Sequence, residues 1–187
     1  MLYGVCESTN LRATHYGERM FDCVAKQDIE NGMVGHMTGL ADGFDHIYNF
    51  EVGAPTDGSE VCLVIQPAWS EDECRKSNQR RDKFFIPAGT PFRVYVMKQF
   101  DEFAVNIMAI QEASREKVEG VADFTATDMF LTVGADGKFV AADKATEGAV
   151  MEARIMRKRI VGDTIVTDAR NYGYKYEMYT AKITALA

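Results

Sequence analysis

The histidines are the side chains of this 187-residue chain whose possible chemistry is easiest to assess. His36 lies among glycines in the segment V-G-H-M-T-G-L, a setting that could present its imidazole on a loop. A general base needs an orienting carboxylate and a nucleophile within reach. Asp42 and Asp45 follow nearby, but no spacing ties them to a serine or a cysteine. The pattern favours a hydrogen-bonded histidine and leaves a catalytic or ligand-binding site near His36 and Asp42 as one alternative.

The four cysteines lack the spacing of a metal site. Zinc ligands usually come in pairs two to four residues apart, whereas Cys6, Cys23, Cys62 and Cys74 are widely separated and have no close histidine. Cys23 and Cys62 each stand in an apolar run, where a free cysteine packs as a small hydrophobic residue. The sequence also has no phosphate-binding glycine loop and no G-x-S-x-G elbow. We therefore expect no metal, no cofactor and no catalytic residue.

Charge is distributed unevenly along the chain. The net charge of −7 argues against a nucleic-acid partner, because phosphate contacts need clustered lysine and arginine. Residues 151–187 carry seven bases and four acids, a net of +3, and the remaining 150 residues carry fourteen bases and twenty-four acids, a net of −10. The bases concentrate in Arg154, Arg157, Lys158 and Arg159. This basic cluster indicates either a solvated strand face or a patch that meets an acidic partner.

Four tyrosines near the C-terminal end form a second candidate surface: Tyr172, Tyr174, Tyr176 and Tyr179. Such a group could stack on a sugar or on single-stranded nucleic acid. Aromatic side chains on a strand are more often core or interface residues. Because the chain is acidic, we interpret the tyrosines as part of a protein interface.

Short apolar runs separated by turn residues must position these groups. Residues 61–65 form a continuous apolar run, typical of a strand buried on both faces, and residues 92–97 alternate as in a half-buried strand. Asn31-Gly32 and Asp136-Gly137 predict tight hairpin turns. Turns recur about every ten residues, as in a β barrel or sandwich. We predict a mainly β fold of small barrel or sandwich units.

A polar segment separates the predicted strands into two groups. Residues 70–82 are predicted to form a short helix that begins with a capping box but has almost no apolar face, so we interpret it as a surface connector. We predict an extended N-terminal arm over residues 1–18, a β-rich region with the connector over 19–83, and a β barrel or sandwich over 84–187. No apolar run approaches the roughly 18 residues of a membrane span, so no membrane contact is expected.

Two groups of segments carry a resemblance to a known family. They are 29–35 (I-E-N-G-M-V-G) with 46–48 and 61–65, and 149–159 with 170–174 and 178–179. In these segments and in its layout, the chain resembles the head-decoration proteins of tailed bacteriophages, also called cement or auxiliary capsid proteins. Their short arm, their I-x-N-G turn, their helical connector and their glycine-punctuated β region have counterparts here.

The resemblance implies a structural protein and not an enzyme. It implies binding to the outer surface of the capsid, with the major capsid protein and other copies of the chain, as trimers or dimers, for partners. The chain would then reside on the virion exterior after assembly in the host cytoplasm, and its interface would include the basic cluster and the four tyrosines. Two alternatives stay open: a tail or head–tail connector component, and an intracellular β-barrel enzyme or ligand-binding protein.

Overall fold

The computed structural model describes residues 2–16, 19–67, 81–163 and 174–186 and confirms the mainly β fold. In these ranges the strands form a closed five-stranded barrel and a six-stranded sheet. The barrel strands β2 to β6 are Met20–Val24, Val34–Leu40, Ile47–Val52, Val61–Val64 and Phe92–Val96. The sheet strands β1 and β7 to β11 are Cys6–Asn10, Glu102–Asn106, Phe130–Val133, Phe139–Ala142, Met151–Asp163 and Tyr174–Leu186. The helices α1 and α2 are Arg12–Tyr16 and Glu112–Glu119, and short 3-10 turns cover Arg81–Lys83 and Ile107–Ala109.

The barrel has the strand order β2-β4-β3-β5-β6 and closes where β6 pairs with β2. Its strand β5 is buried along its whole length, as the apolar run predicted. Cys62 and Val64 pack in the barrel interior, whereas Val61 and Leu63 pack in the larger apolar core that also contains sheet residues. The strand therefore needs apolar side chains on both faces, because each face belongs to a different core.

The second sheet has the order β1-β7-β11-β10-β8-β9, and all of its strand pairs are antiparallel. One face packs on the barrel through the larger core, in which Phe103 and Phe139 stack with ring centroids 5.3 Å apart. Helix α2 contributes Val118 to the same core. The opposite face carries a small apolar cluster formed by Val5, Ala104, Tyr176 and Met178. The barrel and the sheet thus share one continuous core.

The N-terminal residues do not form the extended arm that the sequence predicts. They include β1, which pairs with β7, and helix α1. Val5 and Leu11 are buried, and the side chain of Asn106 holds the segment by accepting a hydrogen bond from the Val5 amide (2.8 Å) and donating one to the Tyr3 carbonyl (3.1 Å). The polar composition of residues 1–18 suggests an extended arm. The segment is polar because β1 is an edge strand, with exposed polar side chains along most of its length.

Strand pairing also crosses the predicted division at residue 83. Strand β6 follows that position but closes the barrel, and β1 precedes it but joins the sheet. Asn31-Gly32 is a turn, with Gly32 at φ +85°, but the predicted hairpin is wrong because β2 and β3 are not neighbours in the barrel. The Asp136-Gly137 hairpin between β8 and β9 is confirmed. Most of the predicted helix lies outside the described residues, and its last residues, 81 and 82, belong to a 3-10 turn.

We expect Leu11→Ala to lower the free energy of unfolding by ~2–4 kcal/mol, because it empties a fully buried site in the shared core. Leu2→Ala is the matched control, since Leu2 lies in the same segment but is 40% exposed, and it should change stability by less than about 0.5 kcal/mol. Urea unfolding of the two variants measures both values. Equal effects would mean that the N-terminal segment is not part of the core.

Candidate interaction surface on the β10–β11 ribbon

Strands β10 and β11 form a long two-stranded ribbon. They pair from Met151 with Leu186 to Asp163 with Tyr174. Strand β8 pairs with β10 only at 152–154, and β7 pairs with β11 only at 178–182. Within the described part of the chain, residues 160–163 and 174–177 therefore pair only with each other. Val161 and Tyr176 in this distal part still pack on the small apolar cluster of the sheet, so the outer edge of β10 is what lacks a strand partner among the described residues.

The ribbon is held at its root by an ion-pair cluster on the back of the sheet. The carboxylate of Glu7 on β1 accepts hydrogen bonds from Arg81 and from Arg159 on β10. Burial by itself would raise the pKa of Glu7, but the two guanidinium groups outweigh it and lower that pKa below its usual value. Val161 packs beside this cluster against the small apolar cluster of the same face. Glu7 on the N-terminal strand β1 thus links that strand to β10.

The tyrosine part of the predicted interface is largely wrong. Tyr179 is fully buried in the shared core, where its ring meets Phe124 edge to face at 5.9 Å and its hydroxyl donates a hydrogen bond to Glu177 at 2.8 Å. Tyr176 is buried in the small cluster on the opposite face. Tyr174 is the first residue of β11, and Tyr172 lies outside the described residues. Tyrosines on both faces of β11 are thus covered, because both faces of this strand are packed at its middle.

Three members of the basic cluster have acidic partners. Arg154 lies 2.5 Å from the carboxylate of Asp128, Lys158 lies 3.3 Å from that of Glu177, and Arg159 binds Glu7. Arg157 is exposed and has no acidic partner among the described residues. Arg157 is therefore the member of this cluster whose charge is most available to a partner, while the other three also serve the fold.

The outer edge of β10 carries apolar side chains at the surface. A β-bulge between Ile155 and Arg157 inserts Met156 and turns it outward, so that Ile155 is buried while Met156 is 42% exposed. Ile160 farther along is 69% exposed. From Met156 to the end of β10, this edge has no neighbouring strand among the described residues. We call residues 156–163 the ribbon edge. An unpaired edge with exposed apolar residues can pair with another chain.

Exposed acids are concentrated in the segment that precedes β10 in the chain, and one of them, Asp128, pairs with Arg154. Between residues 112 and 147 the chain has eight acids and four bases, and all eight acids are exposed. We call these acids the acidic flank: Glu112, Glu116, Glu119, Asp123, Asp128, Asp136, Asp143 and Glu147. The sequence could have revealed it, since this net of −4 directly precedes the basic segment.

Among the described residues around His36, no nucleophile is paired with a general base. His36 lies on β3 with Nε2 4.0 Å from the Glu51 carboxylate, and Asp42 is exposed beyond the end of that strand. Cys62 on the neighbouring strand is a buried thiol whose pKa is raised by burial to about 12, so it is protonated at neutral pH and is a poor nucleophile. Cys23 is buried in the barrel as predicted, and the same effect raises its pKa to about 12.

The described residues contain no cluster of three or more potential metal ligands, and no helix among them is long and apolar enough to cross a membrane. Comparison with known proteins found no matching family model, no matching curated protein and no matching solved structure.

We expect Glu7→Gln to lower the free energy of unfolding by ~1–2 kcal/mol at pH 7, because the amide keeps the shape but loses the charge between two guanidinium groups. The pKa of Glu7 is lowered in the folded state, so its contribution is complete above the ordinary glutamate value of about 4.3 and is lost as the pH falls through the lower folded value. The parent and the variant should therefore converge in acid.

Denaturant unfolding at pH 7 and at about pH 3 tests this convergence. Glu116→Gln, at an exposed position on α2, is the control and should differ little from the parent at both values. A difference between parent and Glu7→Gln that stays constant with pH would contradict the assigned role of the carboxylate.

Proposed function

We propose that this chain is a non-enzymatic structural protein of a bacteriophage particle, a decoration protein that binds the outer surface of the head through the ribbon edge. The observation that carries the proposal is the outer edge of β10, which has no strand partner among the described residues and exposes Met156, Arg157 and Ile160. Its partners would be the major capsid protein and neighbouring copies of this chain, arranged as dimers or trimers.

The ribbon edge suits repeated, weak contacts. Backbone groups of an unpaired strand can add a strand of a partner, and side chains on alternate positions supply specificity. A contact of only ~2 kcal/mol, about thirty-fold in an equilibrium constant, acts at every site of a regular lattice. The root cluster around Glu7 holds the ribbon in place before binding, which lowers the ordering cost of association.

A tail or head–tail connector component is the second candidate. The exposed Arg157 and the acidic flank, of which Asp128 already pairs with Arg154, carry opposite charges on the same molecule. Complementary surfaces at different places favour head-to-tail contacts, which close into rings when the rotation between subunits allows it. Light scattering on the purified protein separates the candidates, since two or three copies support the decoration protein and a ring of six or more supports the connector.

We expect Ile160→Lys to weaken attachment to particles at least tenfold (about 1.4 kcal/mol) without changing the melting temperature, because the side chain is largely exposed in the free protein. Particles stripped of the chain are mixed with added protein, and co-sedimentation measures the bound fraction. Leu40→Lys is the matched control: Leu40 is a strand residue, 54% exposed on the barrel, and its substitution should leave attachment unchanged.

Equal weakening by both variants would exclude the ribbon edge as the contact. Failure to find the chain in purified phage particles by mass spectrometry would overturn the proposed function as a whole.

We expect Arg157→Glu to weaken the same attachment several-fold at low salt, because it reverses an exposed charge that faces an acidic partner. The effect should shrink in 1 M salt, where the Debye length falls to about 3 Å. Lys144→Glu, at an exposed position away from the ribbon edge, is the control. A loss of melting temperature with unchanged attachment would mean that Arg157 serves the fold.

A further inference from the structure

A second surface feature, a groove of about 840 Å³ on the sheet side of the molecule, is independent of the ribbon edge. Its lining residues come from β1, α1, the turn before β7, and the paired strands β7 and β11: Asn10, Arg12, His15, Phe100, Asp101, Glu102 and Lys182. The groove has one aromatic side chain, and the rest are polar or charged. Its lining therefore places hydrogen-bonding groups around one aromatic ring.

Phe100 occupies a conformation that is costly for its residue type. Its φ is +74°, in the left-handed region that favours glycine, and its side chain is 56% exposed. It is not part of the apolar clusters formed by the described residues. Strained residues persist where the surroundings impose the conformation, and they occur often at binding sites. The ring makes a cation–π contact with the Lys182 ammonium, 5.9 Å from its centroid, and more than half of the side chain stays exposed to a ligand.

The turn that carries Phe100 is fixed by hydrogen bonds on both sides. The Phe100 amide donates to the Ile183 carbonyl at 3.0 Å, and the Ile183 amide donates to the Asp101 carbonyl at 2.9 Å. The carboxylate of Asp101, whose residue is 1% exposed, accepts hydrogen bonds from the amides of Lys98 (2.9 Å) and Arg12 (3.2 Å). Asp101 therefore also sets the start of α1, the helix that brings Arg12 and His15 to the groove.

The arginine and the lysine of the groove each lie beside a carboxylate. The Arg12 guanidinium lies 3.9 Å from the Asp101 carboxylate, and the Lys182 ammonium lies 3.7 Å from the Glu102 carboxylate. With both cations paired, the groove has no surplus charge to attract a phosphate or another strong anion. It offers instead a dense set of donors and acceptors beside an aromatic ring.

We propose that this groove binds a neutral oligosaccharide. The apolar C–H face of a sugar ring packs on Phe100, and its hydroxyl groups hydrogen-bond to the carboxylate, amide and guanidinium groups around it, each of which can engage two neighbouring hydroxyls. The exposed His15–Asn10 pair, with Nε2 and Oδ1 3.1 Å apart, extends the polar rim for a second sugar unit. The binding site is distinct from the ribbon edge and does not depend on the proposed function.

Isothermal titration with maltohexaose, cellohexaose and chitohexaose, and with inorganic phosphate as the anionic probe, tests the proposal on the full chain. We expect at least one hexasaccharide to bind and phosphate not to bind. Phe100→Asn should weaken that binding at least tenfold, while its melting temperature stays within ~3 °C of the parent, because asparagine tolerates the left-handed conformation and the lost ring is mostly exposed.

Phe44→Asn is the matched control, since Phe44 is an exposed phenylalanine (42%) on a loop of the barrel, and it should bind the sugar like the parent. Glu102→Gln keeps hydrogen-bonding capacity but unpairs Lys182, and it should make phosphate binding detectable. The proposal is overturned if none of the three hexasaccharides binds, if Phe100→Asn binds as well as the parent, or if phosphate is the better ligand of the unaltered chain. A large loss of melting temperature in Phe100→Asn would assign the ring to the fold instead.

Discussion

Strand β5 is buried on both faces, and each face lies in a different apolar core. Cys62 and Val64 fill the barrel, and Val61 and Leu63 fill the space between the barrel and the sheet. A strand with two apolar faces is stable only when both are covered, so the barrel alone would expose half of it to water. The barrel and the sheet are therefore two halves of one core, and their contact fixes which face of the sheet points outward.

The N-terminal segment covers part of that outward face and determines where the ribbon begins. Asn106 satisfies backbone groups of the first residues, Val5 covers the small apolar cluster, and Glu7 joins two arginines. A charge pair of this kind contributes modestly to stability but strongly to geometry, because a displaced partner would leave a charge without compensation. The ribbon is consequently held against this face of the sheet, and its outer edge has no strand partner among the described residues.

Both proposed surfaces arise where local backbone geometry turns an apolar side chain outward. A bulge does this for Met156, and a positive φ does it for Phe100. Each feature departs from regular geometry, and the hydrogen bonds around the Phe100 turn and the pairing on either side of the bulge hold it in place. The two surfaces differ in charge balance: Arg157 has no acidic partner among the described residues, whereas the groove cations are paired, so the two surfaces suit different partners.

Local apolar patterns were enough to predict strands such as 61–65 and 92–97, because continuity or alternation of apolar residues reflects local burial. The sequence also predicted that Cys23 and Cys62 are buried and that residues 136 and 137 form a hairpin turn. Three features follow from long-range packing instead: β1 belongs to the sheet, Tyr176 and Tyr179 are covered, and Arg159 is paired. These features depend on contacts between distant residues, 152 positions apart for Glu7 and Arg159, and no local pattern specifies which distant segment will cover a given face.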